Sequence, residues 1–200
     1  MGRRTDLYLE IIDDKFGEDN YEYEIFVNSV KRDIKLKNKK AELEDVGGDD
    51  VIEVRAKNIV LSSKYGWMLM LFYWILSLLA GMGEQNPFGK PFDAYIKFKP
   101  KSHNITLRGN KIWDKEAFEI FGGKVDVIEN YFVSTKRLRR RWLLGMVMPL
   151  DILIGFILGV CIYCATASAV GVIFGVPVAI GGLCWNFYAY RLIAALKKKK

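Results

Sequence analysis

The sequence predicts a membrane-anchored, mainly β protein: a duplicated antiparallel β-sandwich with a C-terminal transmembrane helical hairpin and one additional membrane-embedded helix. Three observations predict it. Two long apolar runs, Trp142 to Ala165 and Ala169 to Leu196, close the chain. Each exceeds the roughly 20 helical residues that a hydrocarbon core of about 30 Å requires. Basic clusters stand at the outer end of each run: Lys136, Arg137, Arg139, Arg140 and Arg141 before the first, and Lys197, Lys198, Lys199 and Lys200 after the second. Such clusters hold both ends on the cytoplasmic side and suit anionic headgroups. The third observation is a β pattern that occurs twice.

The first β unit covers residues 1–65. Within it Ile25, Val27, Ile34, Leu36, Ile52, Val54 and later Val60 alternate with polar residues, as half-buried strands do. Residues 5–12, TDLYLEII, alternate similarly and predict a leading strand. The second β unit, residues 92–136, repeats the alternation through Ile96, Phe98, Ile105, Leu107, Val125 and Val127. Tyr23 matches Tyr95, Lys39 matches Lys111, Asn58 matches Asn130, Ser62 matches Ser134 and Lys64 matches Lys136, all at a spacing of 72. Gly47-Gly48 and Gly122-Gly123 match with a slip of three, and both pairs suit turns of positive φ. One unit of this size buries little core alone, so the two copies are expected to pack face to face.

Between the units, residues 66–83 form a further apolar segment flanked by Gly81, Gly83, Pro87, Gly89 and Pro91. As a spanning helix it would place the two β units on opposite sides of the membrane. As a re-entrant or tilted helix it keeps both inside. The second arrangement is favoured because duplicated half-cores pair. The last element, residues 142–196, is the hairpin itself.

The strand, turn, strand and "GG…VIEVRAKN…S" sequence resembles the PEGA type of small β-sandwich repeat. That resemblance covers the two β units and implies a non-catalytic binding or spacer module.

The formal charge is +7, yet residues 1–65 carry −3 and residues 66–200 carry +10. The basic residues flanking the hairpin account for the excess, which points to a membrane and away from nucleic acid. The N-terminus lacks a secretory leader, and its Met-Gly start is a weak myristoylation cue because position 6 is Asp. Cys161, Cys164 and Cys184 lie in the hairpin and imply no disulfide framework; they read as packing residues.

Few residues invite chemistry. Asp151 is an ionisable group in an apolar helix, two residues after the helix-kinking Pro149; such a group marks a functional candidate by default. It predicts a proton or cation site, or a contact with a partner's basic residue. The plain alternative is a carboxylate reaching toward Arg139–Arg141. Gly155 and Gly159, and Gly171 and Gly175, have the GxxxG spacing that lets helices approach closely, either within the hairpin or against a partner. Trp142, Trp185, Tyr188 and Tyr190 fall where an interfacial aromatic belt forms. His103 stands alone, so no zinc site is expected, and the acidic stretch Glu42, Glu44, Asp45, Asp49 and Asp50 reads as a solvated hairpin tip.

No nucleophile–base pair or phosphate loop is present, so no enzyme activity, metal or cofactor is expected. The reading is an integral membrane protein, expected in the plasma membrane, with a cytoplasmic C-terminus and a cytoplasm-facing β module. That module binds a membrane-protein partner, lipid headgroups or a second copy, as an accessory subunit or envelope-defence protein would. The alternative is a small oligomeric ion, proton or substrate transport component using Asp151.

Overall fold

The computed structural model describes residues 5–12, 21–32, 39–63, 65–66, 68, 72, 90–166 and 168–197. Among these residues the strands are β1 (Thr5–Ile12), β2 (Tyr21–Val27), β3 (Val30–Arg32), β4 (Lys40–Val46), β5 (Ile52–Asn58), β6 (Asp93–Pro100), β7 (Asn104–Gly109), β8 (Phe118–Gly122) and β9 (Val125–Val133). They form a four-stranded sheet of order β4-β1-β7-β8 and a five-stranded sheet of order β3-β2-β5-β6-β9. The predicted leading strand is β1, at the middle of the four-stranded sheet. It runs antiparallel to β4 but parallel to β7, with Leu9 opposite Ile105, so the β part is not wholly antiparallel. Strands so distant in sequence are free of the hairpin constraint that dictates antiparallel pairing.

The two β units do not meet face to face as expected. They join side by side, because β5 pairs antiparallel with β6, with Val54 opposite Ile96 and Arg55 opposite Tyr95. Backbone hydrogen bonds along that seam make one sheet from β2 and β5 of the first unit and β6 and β9 of the second. The two sheets instead share one apolar core. Leu7, Leu9, Ile11, Leu43, Ile105, Leu107 and Phe118 come from one; Ile25, Ile52, Val54, Ile96, Phe98 and Phe132 come from the other. Phe98, Phe118 and Phe132 are fully buried, each worth on the order of 1.5–3 kcal/mol of transfer free energy.

Turns correct a second expectation. Gly123 does sit at φ 86°, but Gly47 and Gly48 do not take positive φ; Asp45, at 58°, does so instead. Asn28 and Ser29 join β2 to β3 with φ of 49° and 66°, the twist that a two-residue hairpin needs.

After β5 comes a short helix, α1 (Ile59–Ser62), so Val60 is helical and not in a strand as its alternation predicts, because the Asn58 cap turns the chain; Ile34 and Leu36 lie outside the described residues. Residues 73–89, and with them most of the expected helix 66–83, lie outside the described residues. The C-terminal helices start earlier than Trp142. α2 (Lys136–Trp142) is capped by Thr135, whose hydroxyl accepts from the Leu138 N–H. A π turn (Leu143–Val147) leads into α3 (Met148–Ala165), and α4 (Val170–Lys197) returns. The run Lys136–Ala165 and the helix over Val170–Leu196 are each long and apolar enough to cross a membrane. Only 11% of each apolar window is buried, so their apolar sides face outward, unlike those of a soluble core helix.

Candidate functional site

One end of the β domain is built into the base of the hairpin. β5 ends there, β6 begins there, and β9 delivers the chain to α2. Asn58 organises this end. Its side chain is fully buried; its Oδ1 accepts from the Leu61 N–H at 2.9 Å, and its Nδ2 donates to the Lys90 carbonyl at 3.1 Å. Its backbone N–H donates to Asp93 at 2.9 Å. Burial raises the Asp93 carboxyl above its ordinary value, and that N–H offsets part of the rise. Tyr21 donates its hydroxyl to the Phe92 carbonyl at 3.2 Å and packs its ring on Phe92. The chain therefore leaves the β domain through α1 and returns at Lys90 beside its point of departure.

Arg141 ties this staple to the hairpin: its Nη1 donates to the Leu61 carbonyl at 2.6 Å, capping α1. Arg139 does the same for the Ser134 carbonyl, also at 2.6 Å. Of the basic residues predicted to bind headgroups, these two each spend an N–H on an internal carbonyl, because helix ends leave carbonyls that need donors. Lys136, Arg137 and Arg140 are exposed and have no partner among the described residues. Lys198, Lys199 and Lys200 lie outside those residues.

The hairpin base joins the β core. Leu138, Trp142, Val147, Ala189, Leu192 and Leu196 are buried in the same apolar cluster as the sheets. Aromatic rings line the junction: Trp142 lies 6.4 Å from Trp185, Trp185 lies 5.9 Å from Tyr188, and Trp113 meets Tyr188 at 6.4 Å. Trp113 sits on the β7–β8 connection and was invisible to a pattern search restricted to the apolar runs. Tyr190, by contrast, is largely exposed.

Deeper in the hairpin, Asp151 does not reach the arginines. Its Oδ1 accepts from Asn186 Nδ2 at 2.9 Å, and the same Nδ2 donates to the Gly182 carbonyl at 3.1 Å. Pro149 lies at the start of α3, directly after the π turn, where Met148 N–H donates to the Leu143 carbonyl. A proline lacks the N–H of a regular turn and crowds the carbonyl four residues back; the widened turn accommodates both. An open groove of about 460 Å³ results, lined by Leu143, Leu144, Val147, Met148, Asp151 and Ile152.

The four glycines divide. A Cβ on Gly171 would come within 2.3 Å of Ala165 N and Cys161 O, and one on Gly175 within 3.2 Å of the Cys161 Cβ. These two let α4 approach α3. Gly155 and Gly159 do not pack the hairpin, since a Cβ on either meets nothing within 4 Å.

The outer face of the five-stranded sheet carries a second arrangement that the search for motifs missed. Arg55 lies 4.4 Å over the Phe26 ring and 5.6 Å from that of Tyr95, which meets Tyr131 at 5.1 Å. Glu53 is 4% exposed and pairs with Arg55 at 3.0 Å and Lys97 at 3.4 Å. Glu24 pairs with Lys31 and Lys57. Burial works against the Glu53 carboxylate, but its bonds to Arg55 and Lys97 win and hold it below its ordinary value. Burial and nearby carboxylates push the Tyr95 phenol up to about 12. The signal was present as alternation, in Glu53, Arg55 and Lys57 on one strand and Tyr95 and Lys97 on the next.

Comparison with known proteins finds no matching family model, no matching curated protein and no matching solved structure.

Proposed function

We propose that this chain is a non-enzymatic integral membrane protein whose hairpin crosses the bilayer and whose β domain rests against the inner leaflet. The outer face of the five-stranded sheet is presented there to a membrane-protein partner. The observation that supports this reading best is the junction: the base of the hairpin and both sheets share one core, with Trp113, Trp142, Trp185 and Tyr188 around it. A domain merely tethered by a linker would rotate freely, whereas this one has its orientation to the bilayer set by packing. Amphipathic aromatics favour the headgroup level. Exposed Lys136, Arg137 and Arg140 then face anionic headgroups, each contributing about 1 kcal/mol. The C-terminus is cytoplasmic, and the plasma membrane is the site. The likeness to PEGA-type repeats fits a binding module of this kind.

The sheet face suits protein docking because its charges are already paired and its rings are held against Arg55 and one another, so little reordering accompanies binding. The test places a photo-crosslinking residue at Phe26, and separately at Val30, in the full chain in native membranes. A single integral membrane protein crosslinked from Phe26 is the expected result. A chain that remains monomeric and without crosslinks in native membranes would overturn the proposal.

A further inference from the structure

Asp151, Gly155 and Gly159 are four residues apart on α3 and share one helix face. The open groove around Asp151 is lined by residues 143–152, and further along α3 a Cβ on Gly155 or Gly159 would meet nothing within 4 Å. Asp151 has a neutral partner in Asn186, and among the described residues no cation lies within ion-pair distance. Asp151 lies about two and a half helical turns past Trp142, and its partner Asn186 stands next to Trp185, so the pair sits just inside the aromatic belt. A carboxylate at such depth is costly without a partner, and it faces a bundle interior far more often than lipid.

The chain itself cannot supply the missing charge from its apolar segments. No Lys, Arg or His occurs from Leu143 to Tyr190, nor from Tyr65 to Gly83. A second copy packed on this face about a twofold axis would bring carboxylate toward carboxylate. Charge complementarity therefore selects a different chain. We infer that the groove along α3 receives a transmembrane helix of another membrane protein, with one Lys or Arg at the depth of Asp151 and its backbone lying close over Gly155 and Gly159. This rests on the proposal that the hairpin crosses the bilayer, and it names the partner's chemistry.

The test uses the full chain in phosphatidylcholine vesicles with a synthetic Leu/Ala single-span helix bearing one Lys six residues from one end. Association is read by fluorescence energy transfer against the same peptide with Leu at that position. The Lys peptide is expected to bind at least tenfold more tightly than the Leu peptide. Asp151→Asn erases the difference and Asp151→Glu retains it. Gly155→Leu and Gly159→Leu each weaken the Lys peptide several-fold, and the thermal transition of every variant in detergent verifies folding. Equal binding of the two peptides, a preference that survives Asp151→Asn, or self-association of the chain stronger than its binding of the Lys peptide would each overturn the inference. Crosslinks from Phe26 that persist when the Lys preference is absent sink the groove's occupant alone. A retained preference without crosslinks sinks the role of the sheet face instead.

Discussion

Asn58→Ala is the perturbation whose cost follows most directly from geometry. The side chain caps α1 through the Leu61 N–H and donates to the Lys90 carbonyl, in a fully buried site. Losing an N-cap costs about 1–2 kcal/mol when the helix start is buried. Losing the bond to Lys90 costs about 1 kcal/mol. Asn58→Ala should then destabilise by about 2–3 kcal/mol, which for a chain of this size is a fall in Tm of about 4–12 °C. Asn58→Ser keeps an acceptor for Leu61 and loses only the Lys90 bond, so a fall of about 2–4 °C is expected. Thermal unfolding in mild detergent measures both. Equal falls for the two variants would show that the cap does not operate, and a change under 2 °C for Asn58→Ala would refute the account of this junction.

Three further outcomes are expected. The Glu53 carboxylate lies below its ordinary value of 4.5 in the folded chain, so protonation favours the unfolded state. Its contribution is complete above pH 4.5 and is lost as pH falls through the folded value. Glu53→Gln should therefore flatten the loss of Tm between pH 5 and about pH 3, and an unchanged slope would contradict the pairing with Arg55 and Lys97. Gly171→Val should lower Tm by several degrees, because its side chain meets the backbone of α3, while Gly155→Val should leave Tm within about 1 °C; the reverse order would refute the helix faces assigned here. Finally, single cysteines at Ser29 and Ser102, in a background freed of Cys161, Cys164 and Cys184, should both resist an impermeant thiol reagent in intact cells. Labelling of either one would contradict a cytoplasmic β domain.

Much of the architecture was legible because it is local. The apolar runs predict helices long enough to cross a bilayer, and period-2 alternation predicts β2, β5, β6, β7 and β9 along the chain. What alternation does not encode is which strand lies beside which. One partner of β1 is β7, with Leu9 opposite Ile105, and its parallel direction has no trace in residues 5–12. The same holds for the two units. Their likeness predicts similar strands in each, but the edge-to-edge seam between β5 and β6 is set by backbone pairing, which leaves no side-chain pattern. The candidate site divides along the same line. Asp151 was visible as a lone charge in an apolar helix. Its partner Asn186 was not, because the pairing depends on how two antiparallel helices register.

Asn58 and Asn130 show how far a repeat constrains function. They occupy matching positions 72 residues apart, yet they hold different things. Asn58 ends β5, a strand inside the five-stranded sheet, and so its side chain turns to α1 and Lys90. Asn130 lies in β9, at the sheet edge, where its Oδ1 accepts from the Ala117 and Phe118 N–H groups and its Nδ2 donates to the Phe118 carbonyl. An edge strand has unpaired neighbours to satisfy, and Asn130 uses its amide to hold the start of β8, across from the other sheet. The inner copy thus secures the hairpin base, and the outer copy secures one sheet to the other. The matching positions thus serve different ends: among the described residues β6 pairs with the far edge of β5, and no strand pairs with the far edge of β9.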